Sequence, residues 1–322
     1  MTRVWVFAVV LSSLVCSATQ TSAQWYAAVD FVTPIRIDSS GTVFQREEAE
    51  VVIGNVPTGD YVVAAEPLLD GGDLGLDFTS AGRLTLGWRG EEFGIEGSYL
   101  RTDEWNAAAT AFDPAGRMAS PFSQVGADVN PLVDDNFSAS VACASDLESA
   151  ELHLTRVIYS DTLTDVMLLC GVRYMSIRES LVFRQQSGVA SYEVLTGVNN
   201  VLLGPQLGVA SQSPLPGGLL SIATKGALTA NSIDKDTDFN GIAGQGVDTA
   251  AALIGELEVA YNFAPADNVV IRAGYQLVGV SDVALATDNF ETSPTVLSSG
   301  QAYVQRAGLA YHAPFVGVVF VR

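Results

Sequence analysis

The clearest alternation of apolar and polar positions runs from Ala250 to Ser281: AAALIGELEVAYNF, then APAD, then NVVIRAGYQLVGVS. In the first run Ala251, Leu253, Leu257, Val259, Tyr261 and Phe263 share one parity, and Glu256, Glu258 and Asn262 hold the other. In the second, Ile271, Ala273, Tyr275 and Leu277 oppose Arg272 and Gln276. A period of two is a strand signal, and two such runs across a short polar turn make a hairpin. Pairing symmetric about the turn sets Tyr261 against Ile271, Leu257 against Tyr275 and Glu256 against Gln276. One face is then apolar with aromatics near its ends, and the other is polar and charged. Strands of soluble proteins usually run to about five or six residues. A strand that crosses a bilayer at a tilt needs about nine to eleven. The length of these runs raises the question of a membrane barrel.

The same unit recurs. Strands are predicted over Gln24–Arg36, Leu76–Trp88, Phe93–Arg101, Glu151–Tyr159, Val166–Ile177, Val201–Ala210, Leu219–Ala230, the two runs above, Gln301–Tyr311 and Phe315–Arg322. Tight turns separate some of these pairs, as at Arg89-Gly90-Glu91, SDTLTD and His312-Ala313-Pro314. Long polar stretches separate others: Ile37–Gly75, Thr102–Ser149, Arg178–Asn200, Asn231–Asp248 and Thr287–Gly300. Short turns alternating with long loops is the layout of an outer-membrane barrel, whereas a sandwich would turn every 8–12 residues or so. The runs number eleven, and bacterial barrels have an even count. The expectation is a single antiparallel transmembrane β-barrel of about twelve strands, with ten as the other count.

The N-terminus adds a compartment. MTRVWVFAVVLSSLVCSATQTSAQW has an early Arg3, an apolar run from Val4 to Val15 and a small-residue ending, the pattern of a secretory signal. It divides the chain into a signal peptide, 1–23, and a barrel, 24–322. The run is too short to span as a helix. Export permits a disulfide between Cys143 and Cys170, and nothing in their spacing requires one. The formal net charge of -20 argues against nucleic acid, because binding there needs cations that displace counterions.

The strands in this order resemble a family of planctomycete outer-membrane β-barrel proteins of unknown biochemical activity. LDFTSAGRLTLGW and FGIEGSYL are similar to its early hairpin, and VMLLCGVRYMSI to a later strand, through Gly171, Val172, Arg173 and Tyr174. ELEVAYNFAPADNVVIRAGYQLV is similar to a hairpin ending in a Gly-Tyr pair, here Gly274-Tyr275. YHAPFVGVVF is similar to the closing run, with Ala313 in place of the usual Gly. The resemblance implies a barrel in the outer membrane of a Gram-negative-type cell envelope. It brings no catalytic residue.

Two constellations could carry chemistry. Asp234, Asp236, Asp238 and Asn240 place oxygen ligands at alternate positions before Gly241, as calcium loops do. Lys235 inside the run and Gln245 where a bidentate Glu belongs count against calcium, and a solvated acidic loop is the other reading. The charged parity of the strands comprises Arg83, Glu96, Arg173, Lys225, Glu256, Glu258, Arg272 and Gln276. These are expected to line the lumen, either of a narrow porin-like channel or of an interior closed by its own ion pairs. His153 and His312, the two histidines, read as structural. Glu151 and His153 share a face, the nearest approach to an acid–base pair. No phosphate loop or zinc spacing is present, and no cofactor beyond calcium is expected.

The expected function is an integral outer-membrane barrel, exported by its signal, with a structural or surface role or a narrow porin-like channel. It is not expected to be an enzyme. Its expected partners are outer-membrane lipid and the barrel-assembly machinery, and the sequence leaves its oligomeric state open. A soluble secreted β-barrel or sandwich that binds a small ligand is the alternative, and an outer-membrane hydrolase stands behind it.

Overall fold

The computed structural model describes residues 23–37, 43–50, 62–70, 74, 78–113, 118–119, 136–161, 163–187 and 191–322. The signal segment before Ala23, with Cys16, lies outside the described residues, as do Pro114, Pro121, Pro131 and the Asp134-Asp135 pair of the expected loop.

In chain order the elements are β1 (Gln24–Val32), β2 (Ile35–Ile37), β3 (Val43–Glu50), β4 (Val62–Asp70), β5 (Ala81–Arg89), β6 (Phe93–Thr102), β7 (Trp105–Phe112), β8 (Met118–Ala119), β9 (Asn136–Ser160), β10 (Asp165–Ser187), β11 (Ser191–Leu215), β12 (Gly218–Phe239), β13 (Ile242–Ala266), β14 (Val269–Val283), α1 (Thr295–Ser299) and β15 (Ala307–Val321). The strands β9 to β15 pair in sequence, β15 pairs with β1, then β1 with β5, β5 with β6, and β6 with β9. That closes a ring of ten antiparallel strands. β2 pairs with β15 beyond the end of β1, and β7 with β9 beyond the end of β6. They prolong two staves, so twelve strands make up the wall. Closure leaves no unpaired edge inside the bilayer, which is the condition for β-structure to span it.

The two ends differ. At one end the links are residues 90–92, 161–164, 216–217 and 267–268, and Gln24 and Arg322 lie there. At the other end residues 33–80, 103–135 and 284–306 form long connections. Short turns mark the inner side.

The outward residues of β12 are Leu220, Ile222, Thr224, Gly226, Leu228 and Ala230, then Ser232, Asp234, Asp236 and Asp238. Ten residues at about 3.3 Å each, tilted about 40°, rise about 25 Å. The apolar band is therefore one bilayer core tall, and the strand beyond Ala230 stands in water. Leu207, Leu228, Leu253, Leu257 and Tyr275 are exposed on this band. Trp25, Phe93, Tyr159, Tyr261, Phe263 and Phe320 are exposed near its inner margin, where an aromatic girdle sits.

Several expectations need correction. Arg178–Asn200 is not a loop, because β10 and β11 run through it as a paired hairpin. Asn231–Asp248 is likewise a hairpin of β12 and β13. Above the membrane the outer face of a strand meets water and is polar, as at Ser232, Asp234 and Asp236, so its composition reads like a loop. The turn at Asn240-Gly241 has φ of 51 and 87, both positive, as the two central residues of a type I′ hairpin require. His312-Ala313-Pro314 is not a turn: β15 is continuous there, and Ala313 and Pro314 face Gln276 and Tyr275. This merges the last two expected strands and brings eleven to ten.

The hairpin of β13 and β14 pairs Leu257 with Leu277 and Glu258 with Gln276. The expected register was off by two, because the turn lies at Asp267-Asn268 rather than centred on the APAD stretch, and the irregularity between Phe263 and Ala266 takes back one residue of that offset. A shift of two preserves the faces. Cys143 is buried on the inner face opposite Leu181, while Cys170 is exposed on the outer face opposite Leu154. They stand on opposite sides of the wall and are not bridged to each other.

Candidate functional site

Inside the apolar band the strands turn their charged parity inward, and the charges meet. Arg83 on β5 donates from Nε to Asp30 Oδ2 at 2.8 Å and from Nη1 to Glu258 Oε2 at 2.6 Å. Asp30 is on the neighbouring β1, but Glu258 is on β13, four staves around the ring of ten. That pair spans the lumen. Arg272 joins them, with Nε 3.1 Å from Asp30 and Nη2 3.1 Å from Glu258. The guanidinium groups of Arg83 and Arg272 lie 4.6 and 4.9 Å from the ring centroid of the inward Phe315.

A second group fills the other side. Arg173 on β10 donates to Glu256 on β13 at 2.5 Å, and Lys225 on β12 lies 2.8 Å from Glu151 on β9 and 2.6 Å from Glu256. Each of these reaches three staves, except the neighbouring Lys225–Glu256 pair. Gln206 donates to Glu151 at 2.9 Å, and His153 Nε2 is 3.4 Å from Glu96. The Tyr26 hydroxyl, on β1, donates to Glu96. Arg83, Arg173, Lys225 and Arg272 thus face Asp30, Glu96, Glu151, Glu256 and Glu258. A carboxylate this deep in a membrane protein needs such partners, because an unpaired buried charge costs several kcal/mol.

All eight residues read from parity stand within this layer. Missing from that reading are Asp30, Tyr26 and Gln206, and the pairing of Glu151 and His153 with the layer. Asp30 follows the same alternation in QWYAAVDFV, with Tyr26 and Ala28, and could have been found there.

A cavity of about 450 Å³ runs from Gln24, Arg89, Gln212 and Asn262, toward the short turns, past Arg83, Glu151 and Lys225 of the layer to Met175 and Tyr311 beyond it. Above it the lumen is packed with apolar side chains. Trp105, Met175, Ile177, Leu202, Leu285 and Tyr311 belong to one buried cluster, and Trp105 stacks on Tyr311 with centroids 5.6 Å apart. Higher still, Arg36 on β2 pairs with Glu179 on β10, both side chains fully buried. Nothing in the sequence pattern linked those two.

The calcium candidates fall elsewhere. Asp234, Asp236 and Asp238 are alternate residues on the outer face of β12, and Asn240 is in the turn. Same-face neighbours on a strand are about 6.6 Å apart, a ladder rather than a cage. Among the described residues no group of three or more His, Cys, Asp and Glu could hold a metal ion. Lys235, between them, points inward. His312 is on the outer face, hydrogen-bonded to Tyr275.

A closed antiparallel ring with a lipid-facing apolar band and a self-neutralised interior defines an outer-membrane β-barrel. Residues 55–242 match the family described as "Putative beta barrel porin-7 (BBP7)", and the chain belongs to that family. No curated protein sequence matches the chain. Among solved structures it is similar to the outer membrane protease OmpT from Escherichia coli, with TM-score 0.55 and 9% identity, covering 95% of this chain and 99% of that one. It is also similar, at TM-score 0.37 and 12% identity, to the translocator domain of autotransporter NalP from Neisseria meningitidis, covering 94% and 90%. The Pseudomonas putida toluene transporter TodX follows at TM-score 0.36 and 10% identity, covering 94% and 89%. At 9% identity the likeness to OmpT is one of fold alone.

Proposed function

We propose that this porin-family barrel is closed across its lumen and serves the outer membrane as a structural and surface protein. The observation that carries the reading is the set of ion pairs that reach across the ring, above all Arg83 to Glu258. A water-filled pore needs a clear axis, and here the axis is occupied first by these pairs and then by the apolar packing above them. The chain is exported by a signal peptide cut after Ala23, enters the membrane through the assembly machinery, and has lipid as its immediate partner. The planctomycete resemblance supports a Gram-negative-type envelope. Membership of a porin family supports a role without catalysis. OmpT is a protease by its description, but its likeness to this chain extends to the fold. His153 is enclosed in the ionic layer, which supports a structural role for it.

Planar-bilayer recording tests the reading. Folded protein, identified by heat-modifiable migration, should give no discrete current steps. Stable open-channel conductance would overturn it.

A further inference from the structure

The ionic layer is balanced but for one charge. Asp30, Arg83, Glu258 and Arg272 form one closed ring of ion pairs, at 2.8, 2.6, 3.1 and 3.1 Å. Glu151, Arg173, Glu256 and Lys225 form a second, at 3.5, 2.5, 2.6 and 2.8 Å. Each ring alternates two cations with two carboxylates and is neutral by itself. Glu96 belongs to neither. Among the described residues no Lys or Arg pairs with its carboxylate, whose partners are the Tyr26 hydroxyl and His153 Nε2, the latter at 3.4 Å.

His153 does not supply the missing cation. Gln206 Nε2 donates to Glu151 at 2.9 Å, so that end of the amide is its NH2 group, and the same atom lies 3.4 Å from His153 Nδ1. Nδ1 therefore accepts, and the imidazole carries its one proton on Nε2, toward Glu96. Both donors to Glu96 are uncharged.

Tyr26, Gly87, Glu96 and His153 stand in register on β1, β5, β6 and β9. A Cβ at Gly87 would run into the Tyr26 ring, so glycine lets the phenol cross β5 to reach Glu96. A Gln at position 96 would accept the same two hydrogen bonds without the cost of a desolvated charge. Holding Tyr26 and His153 in place does not require the charge.

The charge is turned toward space. The Glu96 side chain is 29% exposed, against 17% for Glu258, 6% for Glu151 and 0% for Asp30 and Glu256. It lines the cavity of about 450 Å³ that reaches the short turns, together with Ser98 and Thr155, neighbouring inward residues on β6 and β9. Volumes of about 300–1,000 Å³ are those of small-molecule sites.

We propose that this cavity is a binding site, entered from the inner side of the membrane, for a small organic cation: a primary ammonium whose counter-charge is Glu96. The hydroxyls of Ser98 and Thr155 accept its remaining protons, and a short polar chain lies toward Gln212 and Asn262. An anion would meet Glu96 where every cation of the layer is already in two pairs. A divalent metal would find one free carboxylate, and no group of three ligands stands there among the described residues. The site goes beyond the closed-barrel reading and does not depend on it.

Isothermal titration of the full-length barrel in nanodiscs, blanked against empty nanodiscs, tests this with 4-aminobutan-1-ol and its uncharged isostere 1,4-butanediol. The amine should bind once per barrel and about tenfold or more tightly than the diol, the contribution of a hydrogen bond to a charged group. Glu96→Gln should abolish that preference and leave urea stability unchanged or raised, whereas a purely structural Glu96 would lose stability. Ser98→Met narrows the cavity, touches no ion pair and should weaken the amine in the same way; it decides if the Gln variant does not insert. Equal binding of amine and diol, or a preference that survives these substitutions, overturns the proposal. Bilayer recordings on the same protein keep the readings apart. Current with amine binding sinks the closed barrel and leaves the site; silence without binding sinks the site and leaves the closed barrel.

Discussion

Glu256→Ala is the sharpest probe of the ionic layer. The side chain is fully buried, with one oxygen 2.5 Å from Arg173 and the other 2.6 Å from Lys225. Removing it leaves both cations to Glu151, at 3.5 Å from Arg173 and 2.8 Å from Lys225. Two buried positive charges then share one carboxylate. Breaking a buried ion pair on one side costs about 3–5 kcal/mol, most of it the stranded charge. Glu256→Gln keeps the shape and part of the hydrogen bonding, so its cost is smaller. Adding Lys225→Ala to Glu256→Ala removes one stranded cation. The double variant should therefore be more stable than the sum of the two single losses predicts, by about 0.5–3 kcal/mol. Urea unfolding in lipid vesicles, followed by the loss of heat-modifiable mobility, measures each term. A Glu256→Ala cost under about 1 kcal/mol, the range of exposed pairs, or strict additivity in the double variant, would refute the claim that these residues act as one desolvated layer.

Three further outcomes are expected. Leu257→Arg places a charge on the lipid face in the middle of the band and should cost about 2–4 kcal/mol in vesicle unfolding, whereas a surface change on a soluble protein is usually within about 0.5 kcal/mol. Gly241→Val forces a branched residue to φ of 87, so it should cost about 1–3 kcal/mol and register as a lower urea midpoint. Lys235 stands above the membrane band, and burial pushes its ammonium down to about 8. Thermal stability of the unaltered protein should rise from about pH 8 to 10.5 relative to Lys235→Met, because the folded lysine gives up its proton first; parallel profiles would remove Lys235 from the linkage.

The spanning part of the fold was legible because lipid and lumen impose opposite demands on successive residues. Leu253, Leu257 and Tyr261 against Glu256 and Glu258 can be sorted by parity alone, and the inward set followed from it. Above the bilayer that contrast vanishes. Asp234, Asp236 and Asp238 face water on the outside, while Ile233, Lys235 and Thr237 are buried within, and a strand with polar residues on both faces reads as a loop. Asn240-Gly241 is the local sign of a hairpin there, within a run that by composition reads as a solvated acidic loop or a calcium candidate. Cross-lumen partners were not legible for another reason. Arg36 and Glu179 are 143 residues apart in sequence and meet only because the ring closes. The turn at Asp267-Asn268, later than the APAD stretch suggests, shifts the register by a net two without moving any side chain to the wrong face.

The charge balance can be placed on this architecture. The chain has 16 Lys and Arg against 36 Asp and Glu, yet the interior layer sets four of those cations against five carboxylates. Every described cation in the layer makes at least two ion pairs. The excess of acid behind the net charge of -20 is therefore carried outside the layer, where the cost of an unpaired carboxylate is hydration rather than burial. Only four of the 16 cations stand in the layer, but there they meet five carboxylates, whereas the other 12 are set against 31 outside it. A wide, water-filled lumen would place no such demand on them. The near balance of charge within the layer fits the closed interior proposed above.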